Sequence, residues 1–450
     1  MEVQIISKEY IKPSSPTPPN LKTHRLSLLD QFASFGYVPV VFFYPMNQSI
    51  SHAVADIVSQ ISHSLKQSLS ETLTRFYPFA GKIKDRLSVD CNDEGVFYLE
   101  ACVNCHLVEC LSQPNIPSLQ KFLPRESWKD PTEGDHVTMI QVTRFACGGI
   151  AIGVLVSHMI ADGISLSIFL KGWAATARKA CEVVCPNFDA PSIFIQNDAY
   201  SREAVVMAFS KPFKLGRCIV RRIVFDASAI ASLKAKASSS SVQNPTRVEA
   251  VSALLWKCIM TAFKATSGIQ RPTYITHAVN LRPRADPQFT ESSMGNILWS
   301  TCALCTAEEI DLPCMVSKLR EARVKINIAD FVKNIQGDGG FSKLWELVKA
   351  RTGAVSSMAF SCGVDYIGFT SWCNIGVYDI DFGWGKPMWV SQVGTIEDSE
   401  TMFRNRIYLM DTRSGDGIEA WVLLDAKDMI MLAQDNELLA FASLDRSPTE

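Results

Sequence analysis

The chain has no apolar run long enough to cross a bilayer, no cluster of positive charge, and none of the short signatures of nucleotide binding or serine hydrolysis. Its longest apolar stretches, Tyr37–Pro45 and Ile150–Val156, are about half of what a membrane-spanning helix needs. The opening MEVQIISKEYIKPSSPTPP lacks the apolar core of a signal peptide. Charge is scarce and balanced, with 20% charged residues and 44 Lys plus Arg against 46 Asp plus Glu. A nucleic-acid partner would want a basic face, and none is legible. No G-x-x-x-x-G-K-[ST] or G-x-S-x-G occurs, and Gly148, Gly149 and Gly153 do not form G-x-G-x-x-G. What is plentiful is apolar material, 47% of 450 residues, enough for sizeable cores. At about 150 residues per domain the length allows two large domains or three ordinary ones. A soluble chain is expected.

Cysteine is abundant, with 14 residues. Cys102, Cys105 and Cys110 lie in FYLEACVNCHLVEC beside His106, and Cys302 and Cys305 form a second C-x-x-C. A zinc site would set such pairs in short, turn-rich knuckles. Here their neighbours are β-branched and aromatic, as in strands. They read as buried or half-buried free thiols in a reducing compartment, with no metal.

Strands are expected at Phe35–Tyr44, Gly81–Ile83, Ser88–Cys91, Val96–Val103, Thr138–Phe145 and Ile150–Val156. Helices are expected over Val54–Phe76, where Ile57, Ile61, Leu65, Leu69 and Leu73 repeat at i, i+4, and from Gly163 to Lys179. Pro78 stops the first of them. Lys12–Asn20 reads as an extended lead-in. Pro, Asn and Ser are scattered between Cys185 and Lys214, the best crossover between two halves. The second half restarts with strand Cys218–Phe225 and helices Ala227–Ala237 and Arg247–Ala265, the latter capped by Thr246. Strands Tyr274–Asn280 and Ile297–Ala303, helix Met315–Lys325 and strands Ile367–Trp372, Trp389–Gln392, Arg406–Met410 and Ile418–Leu424 follow. Helix Ala426–Ala440 closes the chain, and 337–352 has no assignable pattern. The fold class is mixed α/β (α+β), without the strand–helix rhythm of a doubly wound sheet. Residues 1–195 and 218–450 read as two units joined by a crossover at 196–217.

A histidine followed four residues later by aspartate occurs twice, at His52/Asp56 and at His158/Asp162. The first copy sits just before an amphipathic helix, where Ser51 and Asp56 are natural caps. The second follows the apolar strand Ile150–Val156, at the carboxyl end, where mixed sheets present reactive groups. Asp162 opens a helix and is followed by Gly163. An imidazole held on rigid elements is a good general base near neutral pH. Asp162, as an N-cap, would turn inward to backbone amides and away from the ring. The plain alternative is a structural strand-end histidine followed by a capped helix. No serine or cysteine pairs with His158 in the sequence, and a base acting directly on a bound acceptor needs none. Asp381–Phe382–Gly383 copies the magnesium triplet of kinases but lacks the rest of a kinase.

His158-x-x-x-Asp162-Gly163 and Asp381–Phe382–Gly383–Trp384–Gly385, in that order, resemble the paired motifs of the BAHD acyltransferases of plant specialised metabolism. The likeness spans nearly the whole chain, including KPSSPTP from Lys12, Leu28–Gln31 (LLDQ), Tyr77–Lys82, Asp90–Gly95, Asn280–Arg282, Gly295–Asn296 and Thr370–Trp372. It implies a chloramphenicol-acetyltransferase-like fold of two domains with a solvent channel at their interface and His158 at its centre. It also implies acyl-CoA as co-substrate, acetyl-CoA foremost, with no permanently bound cofactor. The acceptor would be a small alcohol such as an alkaloid or terpenoid, and the protein a cytoplasmic monomer. On this resemblance Asp162 pairs with Arg282, with Arg284 as the alternative, and Asp381, Gly383 and Gly385 scaffold the channel wall. Thr370 and Trp372 line the reaction centre, where hydroxyl and indole N–H could face an oxyanion. Lys257 and Arg284 are positive groups that could meet CoA phosphates or simply keep the surface soluble. The segment from Phe331 to Phe360 departs from the family and could shape the acceptor side. N-acylation, or branched, longer or aromatic donors, would use the same base. A ligand-binding relative without catalysis and a small-ester hydrolase are the readings from other classes.

Replacing His158 by Ala is expected to lower turnover by ~10²–10⁴-fold, the worth of a positioned acid–base group. His52→Ala should leave turnover intact. Steady-state kinetics on the two variants checks which copy of the pattern matters.

Overall fold

Runs that are apolar on both faces become central strands, and runs that alternate become edges. The computed structural model describes all residues except 34–35, 46–53, 113, 126–130, 201–213, 285–288, 351–362, 393–400 and 449–450. His52 therefore lies outside the described residues. The first sheet contains β1 (Gln4–Ile11), β2 (Tyr37–Tyr44), β3 (Val96–Val103), β4 (Thr138–Phe145) and β5 (Ile150–Ser157). All eight residues of β5 are buried, whereas β1 is largely exposed and forms one edge. The second sheet contains β6 (Cys218–Phe225), β7 (Thr273–Asn280), β8 (Leu298–Cys305) and β9 (Asp365–Ser371). After these comes β10 (Trp389–Ser391), which returns to the first sheet, and the second sheet is completed by β11 (Arg406–Asp411), β12 (Ile418–Asp425) and β13 (Ser443–Leu444). The strand orders are β1-β3-β4-β5-β2-β10 and β8-β7-β9-β11-β12-β6-β13.

Helices cover these sheets. They include α1 (Leu28–Gln31), α2 (Val54–Arg75), α3 (Gly163–Ala177), α4 (Ala227–Ala237), α5 (Arg247–Ser267), α6 (Leu312–Val324), α7 (Ile328–Asn334), α8 (340–350), α9 (Ala426–Leu432) and α10 (Asn436–Leu439), and short helices also occur at Leu107–Ser112 and Ala190–Ile193. Thr246 and Glu249 form a reciprocal capping box on α5, and Gly268 closes that helix in the left-handed conformation. Helix α6 starts at Leu312, earlier than its periodicity suggests, because Asp311 caps it and Pro313 fits its first turn. The expected helix Ala426–Ala440 is two helices. The chain breaks at Ala433–Asp435, where Asp435 turns outward to cap α10 through the Leu438 amide. Strand β1 is missing from the sequence expectation because QIISKEYI does not alternate apolar with polar; the strand exists through its antiparallel pairing with β3, Ile11 opposite Val96.

Strand pairing does not follow the 1–195 and 218–450 division throughout. β10 pairs with β2, Trp389 opposite Phe43 and Ser391 opposite Val41. The segment before it docks by two devices. Asp381 Oδ1 accepts from the amides of Gly383 (2.7 Å) and Gly385 (2.9 Å), closing a turn in which both glycines have positive φ, 111° and 107°. Phe382 and Trp384 then stack 5.5 Å apart against the first core, with Tyr44 at 6.0 and 6.2 Å and Trp173 4.8 Å from Phe382. The Tyr44 hydroxyl donates to the Ile380 carbonyl at 2.9 Å. D-F-G-W-G is thus a dock between the halves.

A buried ion pair ties the docked strand to the second sheet. Arg222 on β6 donates twice, at 2.7 Å each, to Glu419 on β12. The Trp389 indole donates to the same carboxylate at 3.3 Å and lies under the guanidinium. Arg222 is 3% exposed and Glu419 4%. Removing one partner strands the other charge in the interior, at ~3–5 kcal/mol, whereas replacing both with apolar groups of similar volume costs little. Arg222→Met is therefore expected to destabilise by about that amount and Arg222→Met/Glu419→Leu to recover most of it. Urea unfolding midpoints at constant m-value measure both.

Candidate active site

His158 comes directly after β5, and its backbone N–H is held by the Gly36 carbonyl at 3.0 Å. Four residues on, Asp162 has extended backbone and caps α3, its Oδ1 accepting from the Ser165 amide at 2.8 Å. The carboxylate is turned inward, 2% exposed. Arg282 meets it in a two-point pair, Nη1 to Oδ2 at 2.8 Å and Nη2 to Oδ1 at 3.1 Å. The other guanidinium donors go to the Ser293 carbonyl, the Ser165 hydroxyl, the Gly295 carbonyl and the Asn280 side chain. Asp162 and Arg282 thus come together away from the imidazole, and they anchor the 293–296 turn that faces it.

That turn delivers Asn296, which is fully buried. Its Oδ1 lies 2.8 Å from His158 Nδ1, while its Nδ2 donates to the His158 carbonyl and to Asp30 Oδ1, both at 2.8 Å. The two amide hydrogens are committed to acceptors, so Oδ1 must face the ring. Flipping the amide would set oxygen against a carbonyl and a carboxylate. An amide oxygen only accepts, so Nδ1 carries the proton and Nε2 carries the lone pair of the neutral ring. The arrangement fixes which ring nitrogen carries the proton.

Gly163 explains the second half's approach. A Cβ at this position would lie 2.7 Å from Trp372 Nε1 and 2.8 Å from Cε2. Trp372 is 5% exposed, and its backbone N–H is held by Leu409 at 2.7 Å. The indole therefore rests on the first turn of α3. Thr370 lies two residues earlier on β9, half-buried. Cys373 remains a thiol, since burial first of all pushes it up to about 12. It offers no ready thiolate nucleophile.

Other residues singled out by the sequence sit elsewhere or are engaged. Lys257 on α5 pairs with Glu437 on α10 at 2.6 Å, so a phosphate there would compete with a carboxylate. The Arg284 side chain lies outside the described residues. Within 331–360, α7 and α8 pack Phe331, Val332, Ile335, Phe341 and Leu344 with Leu28, Leu29 and Phe194 in a separate apolar core, and 351–362 lies outside the description. Among the described residues, no group of three or more His, Cys, Asp or Glu could hold a metal. No described helix is long and apolar enough to cross a membrane. The sequence did not single out Asn296 or Asp30 individually; both lie in short family-like segments, and only contacts across the chain bring them to His158.

The chain matches the Transferase family over residues 1–439. It is 52% identical over 457 residues to the epi-neemfruitin B 7-O-acetyltransferase of Melia azedarach, covering 100% of both chains. It is also 52% identical over 464 residues to the limonoid 7-O-acetyltransferase of Citrus sinensis, again covering 100% of both. Among solved structures it resembles the crystal structure of vinorine synthase, with a TM-score of 0.81 and 35% identity over 100% of both chains.

Asp162→Ala removes both the cap and the partner of a buried guanidinium. A loss of ~3–5 kcal/mol is expected from the stranded charge, and ~1 kcal/mol more from the cap. Asp162→Asn keeps the cap but turns an amide against Arg282, so it should recover only the smaller part. Melting temperatures of both variants, with turnover alongside, check the ordering.

Proposed function

The chain belongs to the BAHD family of acyltransferases, and from that premise we propose that it acetylates a hydroxyl on the ring system of a limonoid-type triterpenoid. It is an acyl-CoA-dependent O-acetyltransferase of plant specialised metabolism, and acetyl-CoA is its co-substrate. The acceptor class is supported by identity of 52% across the full length of a limonoid 7-O-acetyltransferase and, equally, of an epi-neemfruitin B 7-O-acetyltransferase, against 35% for vinorine synthase. The observation that carries the mechanism is the His158–Asn296 bond, which leaves Nε2 as the basic nitrogen.

In this reading acceptor and acetyl-CoA are bound together, so attack becomes effectively unimolecular. His158 Nε2 takes the acceptor's hydroxyl proton as the oxygen attacks the thioester carbonyl. A tetrahedral intermediate forms, its oxyanion facing the Thr370 hydroxyl and the Trp372 indole N–H. It collapses by breaking the carbon–sulfur bond, and the departing CoA thiolate takes the proton back from the imidazolium. Electron pairs and protons balance without a covalent enzyme intermediate. Asp162, Gly163 and Arg282 support the base, and Asp381, Gly383 and Gly385 scaffold the channel wall away from the chemistry. The reading also places the protein in the cytoplasm, where its described cysteines, all free, stay reduced.

Purified protein with acetyl-CoA and a limonoid bearing a free 7-hydroxyl is expected to yield a product heavier by one acetyl group. Alkaloid alcohols and amines in the same panel should give slower turnover. If an alkaloid or an amine wins in kcat/KM, the acceptor class is wrong while the family stands. In a donor series with one acceptor, acetyl-CoA should exceed benzoyl-CoA and long-chain donors. Each extra CH₂ gains ~0.8 kcal/mol only where space exists, and loses more where packing must open.

A further inference from the structure

We propose that Asp30, acting through Asn296, is a positioning residue that fixes the tautomer and orientation of His158. The proposal rests on the reading of His158 as general base. It goes beyond that reading by assigning the base's competence to a residue well over a hundred positions away in the chain, on a one-turn helix.

Asp30 is 1% exposed, on α1. Its two oxygens divide the work. Oδ2 accepts from the Ser27 amide at 2.9 Å and the Ser27 hydroxyl at 2.7 Å, closing the reciprocal cap of α1. Oδ1 accepts from the Asn296 backbone amide at 2.7 Å and from Asn296 Nδ2 at 2.8 Å. Four donors thus face one buried carboxylate, and such charge-assisted bonds are about twice as strong as neutral ones. Burial pushes the nearby His24 below its ordinary value, with the Asp30 charge opposing as the smaller effect, so His24 stays neutral.

A cap alone would use only half of these bonds. The other half grips Asn296 by backbone and side chain together, so the residue can neither slide nor flip. With Nδ2 held by Asp30 and by the His158 carbonyl, Oδ1 is left for Nδ1. The proton on the ring is thereby confined to the nitrogen that does no chemistry. Without this grip the imidazole can take the other tautomer, whose Nε2 is protonated and cannot act as a base.

The anchor is itself held from both halves of the chain. Leu28 and Leu29 directly precede Asp30 and enter the separate apolar core with Phe331, Ile335, Phe341 and Leu344. The Leu28 amide donates to the Phe194 carbonyl at 2.7 Å, and the Gln31 side chain donates to the Asn197 carbonyl at 3.0 Å. A helix of four residues has little stability of its own, so its position is set by that core. The position of the base is then set by it too.

The test uses full-length protein labelled with ¹⁵N-histidine, the His158 ring signals among the seven histidines being assigned by their loss in His158→Gln. At neutral pH the unaltered protein should show a protonated Nδ1 and a lone-pair Nε2 on His158. In Asp30→Ala the signal should shift to the other tautomer or to a mixture. Its kcat should fall by ~10²-fold or more, the lower end of a positioned base's worth, with KM for acetyl-CoA little changed. Asp30→Asn is the conservative variant. Its oxygen can still face Asn296 while its NH₂ donates to the Ser27 hydroxyl and gives up the bond from the Ser27 amide, so it should lose some stability but keep the Nδ1–H tautomer and most of kcat. Ser27→Ala weakens the same cap without touching Asn296 and should keep both. Asn296→Ala lies outside the cap and should reproduce the tautomer change even if Asp30→Ala fails to fold. The proposal is overturned if unaltered His158 is protonated on Nε2, or if Asp30→Ala or Asn296→Ala folds and retains the Nδ1–H signal. It is equally overturned if Ser27→Ala shows the same change as Asp30→Ala, since the cap alone would then be responsible. The tautomer is read without substrate, so a wrong acceptor assignment leaves this arm intact.

Discussion

The two-point pair between Asp162 and Arg282 is the contact on which the site's geometry depends. It joins the first turn of α3, just after the imidazole, to the stretch that follows β7 in the other half. The same guanidinium holds the Ser293 and Gly295 carbonyls, and so the turn that carries Asn296. A buried ion pair of this kind contributes little net stability, because desolvation offsets most of the attraction. Its contribution is register. Both charges must meet in one arrangement, and that arrangement sets the 293–296 turn against His158.

Three further contacts make the two halves one machine. The turn at Asp381–Gly385 inserts Phe382 and Trp384 into the first core, and β10 extends the first sheet. Trp372 rests on Gly163 at a distance no side chain would permit. Asp30 reaches Asn296 from the start of the chain. Each contact is short, buried and drawn from segments far apart in sequence. A displacement of one half against the other would break all of them together, which is how an imidazole between the two halves can be held to the precision that acyl transfer demands.

The chemistry this arrangement supports is sparing. No protein nucleophile is required, because the acceptor supplies its own oxygen and CoA leaves with its own sulfur. What the protein must provide is a proton acceptor of known orientation, donors for the oxyanion, and two bound substrates. The inward turn of Asp162 fits this division. A carboxylate facing the imidazole is replaced by an amide oxygen, which orients the ring without adding charge to it.

Much of this protein was legible in its residues. Strand β6 and helix α4 follow their local patterns to the residue, and the long helices α2 and α5 nearly so, because burial period and caps are local properties. His158 at a strand end and Asp162 as an inward cap were likewise readable, since a strand terminus and an N-cap need only a few neighbours. Where local signals conflict, reading failed, as at Ala433–Asp435, where helical periodicity continues but Asp435 captures an amide and starts a new helix. The excursion of β10 into the first sheet was invisible, because three residues carry no record of which sheet they will join. Asn296 and Asp30 show the deeper limit. Nothing in an asparagine or an aspartate says that it will meet an imidazole or an amide contributed by a distant segment. Hydrogen-bond partnership between remote residues is decided only when apolar burial has brought the cores together, and so the residues alone placed a histidine at a strand end while the tertiary structure decided which of its two nitrogens faces an acceptor.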